Sequence, residues 1–332
     1  MKVIRWNGEP IDRPGIYARV PMEDYHSGRL CVGPSISSSG LRKIFTDSPL
    51  AYWIESPLNP NRIEPEEKEA YIVGRAAHHL FLGEADFGKH FITEPAEYPD
   101  AKTGELKKWN NNANFCRQWH EHVAAEHLTV LTAKQIEAIR GMAGVLAWQK
   151  GLEDCGLVNS LIGRTALKGL VEHTVVAQDP ETGIWLLSRP DAIPVDSTDA
   201  NDFKTSASVD DRTLQKSLDV LRYDMQAELA ARCLKAAAGV ELTSFAFIFA
   251  QKKPPHAIRV VELNPANLGE SAADNQVAIR TFARCLETGR WPGPGGAVSD
   301  AIPLSRSERS LADAAGRRSI LEMELATLGE AA

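Results

Sequence analysis

Residues 171–205 constrain this chain more than any other stretch, because carboxylates stand at the edges of short apolar runs that only neighbouring strands can satisfy. Val171-Glu172-His173-Thr174-Val175-Val176-Ala177 is rich in β-branched residues, Gln178-Asp179-Pro180-Glu181-Thr182-Gly183 supplies turn chemistry, and Ile184-Trp185-Leu186-Leu187-Ser188 is apolar again. That pattern predicts a hairpin. Beyond it, Arg189-Pro190-Asp191-Ala192-Ile193-Pro194-Val195 leads through the polar turn at residues 196–201 into Asp202-Phe203-Lys204-Thr205, which reads as a short strand.

Side chains alternate faces along a strand, so Asp202 and Lys204 are expected on one side with Phe203 turned into the core. If the segment carrying Asp191 lies alongside, two carboxylates and the Phe203 carbonyl oxygen converge at one point. Hard oxygen donors of that kind suit Mg²⁺ or Mn²⁺. Lys204 beside the cation could orient a water or offset negative charge that develops during phosphodiester cleavage. An Asp-x-Lys triplet alone is usually a solvated ion pair. The Pro-Asp placed eleven residues upstream of Asp202 lifts it above chance.

The pattern Arg189-Pro190-Asp191, then Asp202-Phe203-Lys204-Thr205, resembles the PD-(D/E)xK nuclease superfamily. More narrowly it is similar to the RecE-type (exonuclease VIII-like) exodeoxyribonuclease domain of phage and prophage recombination systems. Further segments carry the likeness. Gly74-Arg75-Ala76-Ala77-His78 matches a Gly-x-x-x-His helix whose histidine is a metal ligand, which selects His78 over His79. Glu172 matches an acidic position in the family's first strand. Tyr223-Asp224-Met225-Gln226 resembles a Tyr-x-x-Gln segment on the helix that follows the lysine. Gly15-Ile16-Tyr17, Asp24-Tyr25-His26 and residues 35–39 look like the family's entry segment. The match runs roughly from residue 14 to residue 265. It departs where Asp224 stands in place of a histidine, and where Leu229 and Ala230 stand in place of an aromatic residue.

The resemblance implies an α/β fold with a restriction-endonuclease-like PD-(D/E)xK core, a mixed central sheet flanked by helices. It also implies degradation of linear double-stranded DNA from its ends, 5′-to-3′, by a ring-shaped homo-oligomer working with a single-strand annealing protein. In this chain the expected metal ligands are His78, Asp191, Asp202 and the Phe203 carbonyl; the expected catalytic set is Lys204, Asp191, Asp202 and Glu172. Arg189, Tyr223 and Gln226 are candidates for contacting DNA. Several alternatives stay open. A histidine on an apolar helical run is more often a packed core residue than a ligand; Glu172 could be an ordinary strand residue; and Tyr223 and Gln226, three apart on a helix, share a face that could pack instead. At the level of function, an endonuclease on the same scaffold and a non-catalytic DNA-binding or assembly protein both compete with the exonuclease reading.

The formal net charge of −7 does not advertise a nucleic-acid partner, so DNA binding needs a local basic groove. Lys102–Lys108, followed by Trp109, and the turn Lys252-Lys253-Pro254-Pro255 are candidates for its border, or simply solvated loops. Five scattered cysteines with no C-x-x-C pair argue against an iron–sulfur cluster, a zinc ribbon or a disulfide framework. No run of about twenty apolar residues is visible, so no membrane association is expected and the cytoplasm is the default compartment. Residues 83–90 nearly match a phosphate-binding loop, but His90 stands where a Ser or Thr is needed and the segment follows a helix. No nucleotide cofactor is expected.

Periodicity predicts helices at 37–55, 66–83, 111–127, 133–150, 210–219, 222–238 and 265–288, and strands at 157–166, 170–178, 184–189, 192–196, 201–204, 243–251 and 257–263. The Pro/Gly-rich break at 291–296 suggests one catalytic domain over 1–296 and a tail over 297–332 with an amphipathic helix at 307–328.

Overall fold

The computed structural model describes residues 1–64, 69–81, 87–148, 169–193, 199–263 and 265–294, with isolated positions after 294. The chain divides into two compact units, Met1–Pro294 and Gly295–Ala332. The expected strand at 157–166 and most of the expected helix at 307–328 lie outside the described residues.

Two five-stranded mixed sheets organise the unit Met1–Pro294. One has the order Val3–Arg5, Gly15–Ala18, Thr174–Gln178, Trp185–Ser188, Ser35–Ser37; the other has the order Ile258–Glu262, Ser244–Gln251, Asp199–Ser206, Ala192–Ile193, Leu170–Val171. The hairpin read from sequence is present, with Trp185 opposite Gln178 and Ser188 opposite Val175. Its turn is held by Asp179, whose carboxylate accepts from the Thr182 amide and hydroxyl, and by Gly183 at φ 73°.

The expected strand over 170–178 is two strands in two sheets. Leu170–Val171 pairs with Ala192–Ile193, whereas Thr174–Gln178 pairs with the other sheet. Glu172 sits at the break with φ 54°, a left-handed conformation that turns the chain from one sheet to the next. Period-two patterning continues through such a corner, so the sequence alone could not mark it.

The helix expected over 37–55 is likewise divided, into Ser38–Thr46 and Pro49–Glu55, after a strand Ser35–Ser37. Pro49 cannot donate to a preceding turn, and the Ser48 hydroxyl accepts from the Ala51 amide at 3.1 Å, starting a new helix. The polar stretch at 196–201 is not wholly a turn, since the strand begins at Asp199. Lys102–Lys108 is not simply a solvated loop: Glu97–Pro99 and Leu106–Lys108 pair as a small antiparallel hairpin. The other helices read from periodicity lie within a few residues of their expected ends, while two short helices, Met22–His26 and Phe87–His90, have no counterpart in that reading.

Asp199–Ser206 lies parallel to Ser244–Gln251, with Asp202 opposite Phe247 and Lys204 opposite Phe249. The near-continuous apolar run Ser-Phe-Ala-Phe-Ile-Phe-Ala-Gln is what a strand buried on both faces requires. Against this sheet packs helix Glu69–Phe81, through Val73, Ala76, Ala77 and Phe81. Its approach is close: a Cβ on Gly74 would stand 3.0 Å from Thr205 Oγ1. Phe203 closes the contact, its ring edge-on to Phe81 at 5.2 Å. Burying each of these rings contributes about 1.5–3 kcal/mol.

Candidate metal centre

Helix Glu69–Phe81, the corner at Glu172 and the start of strand Ala192–Ile193 deliver three ligand-type side chains to one place. His78, Glu172 and Asp191 present one atom each, all within 4.8 Å of one another. His78 Nε2 is 2.7 Å from Asp191 Oδ1 and 3.5 Å from Glu172 Oε1. The Glu172 amide donates to the Asp191 carbonyl at 3.2 Å, so the left-handed corner is tied to the neighbouring strand at the site itself. The Phe203 amide donates to Asp191 Oδ2, which fixes that carboxylate across to the next strand. Phe203 thus meets the site through its N–H, and the Asp191 carboxylate, 4 % exposed, is oriented from both sides.

Asp202 lies on that adjoining strand but outside the group of three mutually close ligand atoms. Its Oδ2 pairs with the Lys204 ammonium and its Oδ1 accepts from Gln226 Nε2 at 2.9 Å. As alternation required, Asp202 and Lys204 share a face while Phe203 is buried on the other. The Lys204 ammonium stands 5.2 Å over the Tyr223 ring, which itself stacks on Phe247 at 5.1 Å.

The electrostatics follow from this crowding. Burial opposes charge on the His78 imidazole, but Asp191 beside it, reinforced by Glu172 and Asp202, outweighs burial and raises His78 to about 9. Burial also works against the Asp191 carboxylate, yet His78 and Lys204 hold it below its usual range. Asp202 moves the other way: burial, then the negative charge of Asp191, push it up despite Lys204. For Lys204, burial is outweighed by Asp202 and Asp191, and the ammonium is retained.

Arg189, a candidate for contacting DNA, has its side chain largely enclosed by the protein, 7% exposed. Its Nε and Nη2 donate to Thr174 Oγ1 at 3.0 and 2.6 Å, Nη2 donates to the Val20 carbonyl at 2.8 Å, and its guanidinium covers the Tyr25 ring at 4.5 Å. Nη1 is 4.0 Å from Glu172 Oε2. It is a brace between the first sheet and the Glu172 corner. A cavity of about 960 Å³ opens beside it, lined in part by Arg19, Met22, Glu172 and His173.

One residue of this neighbourhood had no sequence signal. Arg42 donates from Nη1 to the Leu221 carbonyl at 2.7 Å and from Nε to the Ser38 carbonyl at 3.3 Å, with its guanidinium 5.8 Å over the Tyr223 ring. Burial lowers its pKa, against the pull of Tyr223 and Asp202. Only a contact spanning 179 residues brings it there. Of the lysines expected to border a groove, Lys107 pairs with Asp100 inside the small hairpin, and Lys252 has its pKa lowered by burial.

The donor set fits a divalent cation. An imidazole and two carboxylates in one cluster, two of them otherwise held in mutual ion pairing, form a mixed nitrogen–oxygen site of the kind Mn²⁺ and, through its oxygens, Mg²⁺ accept.

A known structure shares this architecture. A presumptive exonuclease from Eubacterium rectale superposes with a TM-score of 0.54 over 89% of this chain and 98% of its own, at 15% identity. An alkaline exonuclease from Laribacter hongkongensis is a weaker match, with 12% identity over 54% of this chain and 86% of its own, at a TM-score of 0.25. No curated protein matches in sequence. Among the described residues no helix is long and apolar enough to cross a membrane. The profile of the PDDEXK-like domain of unknown function DUF3799 matches residues 38–300, so the chain belongs to that family and has a restriction-endonuclease-like α/β fold.

Proposed function

We propose that this protein is a divalent-metal-dependent deoxyribonuclease that degrades linear double-stranded DNA from its ends. The observation that carries the reading is the His78–Glu172–Asp191 cluster standing one strand away from the buried Asp202 and its half-buried partner Lys204. A cation held by the three ligands would supply Lewis-acid activation of the scissile phosphate.

The chain's own groups do the rest. Lys204 remains protonated, so it serves as a fixed positive charge and hydrogen-bond donor toward the phosphate oxygens. Asp202, made a stronger base by burial and by Asp191, accepts a proton from the attacking water at its carboxylate. Gln226 holds that carboxylate in orientation through Oδ1. Tyr223 fills the space beneath the Lys204 ammonium and fixes its position.

The preference for ends, the 5′-to-3′ direction, a ring-shaped homo-oligomer and an annealing partner in recombination come from the likeness to RecE-type enzymes. The test uses linear duplexes labelled at either end, together with covalently closed circles, in Mg²⁺ or Mn²⁺. Release of terminal nucleotides from linear DNA alone, abolished by chelator and by Asp202→Ala, is the expected result. Cleavage of closed circles would favour the endonuclease alternative; turnover undiminished in Asp202→Ala would remove Asp202 from the mechanism.

A further inference from the structure

Helix Glu69–Phe81 presents more than His78 to the site. Residues three, four and seven apart lie on one face of a helix, so Tyr71, Gly74 and His78 form a single stripe. The lower end of the stripe is anchored by His78 at Asp191, and its middle by Gly74 against Thr205, the residue after Lys204. Tyr71 therefore lies along the same edge of the sheet as the catalytic strand, about 10.5 Å of helix away from His78. That span is roughly the rise of three stacked nucleotides.

A single exposed aromatic residue is ordinary on a protein surface. Tyr71 differs in its place: 61% of it is exposed, and it stands one helical turn before Gly74, which packs against Thr205 beside Lys204. The Tyr223 ring beneath Lys204 also has the Arg42 guanidinium 5.8 Å from its centre, a second cation in the neighbourhood of the lysine. An open π-face along the same sheet edge as a cationic group is a combination by which proteins hold unpaired nucleotides: the backbone meets the charge and a base stacks on the ring.

We propose that Tyr71 is a stacking platform for an unpaired base of the DNA strand being cut, one to three nucleotides from the scissile bond. The proposal rests on the nuclease reading of the metal centre and adds to it a base contact on the exposed ring of Tyr71. A fully paired duplex keeps its internal bases stacked on one another and offers none to the ring.

The test uses full-length protein in excess chelator, so that binding proceeds without turnover, and linear duplexes carrying 2-aminopurine at the first, second or third position from either end. The expected result is a fluorescence change at one of these positions with the native chain, Tyr71→Phe and Tyr71→Trp, and none with Tyr71→Ala, while anisotropy shows that Tyr71→Ala still binds DNA. In turnover assays with metal, Tyr71→Ala should raise KM about tenfold, the size of one lost base–aromatic stack, with kcat nearly unchanged. Tyr71→Trp should restore KM. A 2-aminopurine signal or KM that is the same in Tyr71→Ala and the native chain overturns the proposal; if the native chain is then active and Asp202→Ala inactive, the nuclease reading stands without it. A native chain that cleaves no DNA in either metal overturns both.

Discussion

Phe203 joins the core to the candidate metal centre through its two ends: its amide donates to Asp191 Oδ2 while its ring packs edge-on against Phe81 at 5.2 Å. Asp191 meets His78 with its other oxygen. The helix bearing the imidazole and the strand bearing Lys204 are thus tied by one carboxylate and one aromatic contact.

Phe203→Ala is expected to lower stability by about 3–5 kcal/mol through the cavity it leaves. Because the ring sets the separation of helix and strand, metal affinity should fall with it. Thermal unfolding with and without Mn²⁺ checks this; a folded variant with native metal affinity would show that the contact does not position the site.

The His78–Asp191 pair predicts a pH-dependent stability in the metal-free protein. An unfolded histidine titrates near 6.5, and in the folded chain His78 is raised to about 9. The stabilisation is fully present below about pH 6.5 and is lost as pH rises through about 9. Asp191→Asn should flatten that part of the profile, as read by Tm in EDTA. Since a ligand imidazole must be neutral, metal binding near neutral pH should also release a proton, seen by calorimetry in buffers of different ionisation enthalpy.

Gln226→Ala removes the donor that orients Asp202. A positioned general base contributes roughly 10²–10⁴-fold, so losing the bond that orients it should cost about tenfold, falling on kcat rather than on KM. Steady-state kinetics on linear duplex separate the two; a change confined to KM would make Gln226 a DNA contact instead.

Arg189→Ala should act on stability. Its hydrogen bonds to Thr174 and Val20 and its cover over Tyr25 are internal, and charged hydrogen bonds of this kind are worth about 1.5–3 kcal/mol each. A fall in Tm with KM for DNA nearly unchanged is the expected outcome; a raised KM at unchanged Tm would return Arg189 to the substrate.

Local sequence was enough for the pieces: the hairpin over 174–188, the Asp202/Lys204 face opposite Phe203, and the helix that carries His78. These are legible because they follow from short-range periodicity and from turn residues such as Asp179 and Gly183. Folding in three dimensions was needed to settle that the run over 170–178 breaks at Glu172 and serves two sheets, that Arg189 faces inward as a brace, and that Arg42 reaches Leu221 from far along the chain. It also selected which carboxylates group with His78, turning Glu172 toward the imidazole and Asp202 toward Lys204 and Gln226. One cause underlies all of these. A left-handed corner, the aim of a guanidinium and the sharing of a buried cation depend on packing between elements distant in sequence, and periodicity carries no record of which neighbours will meet.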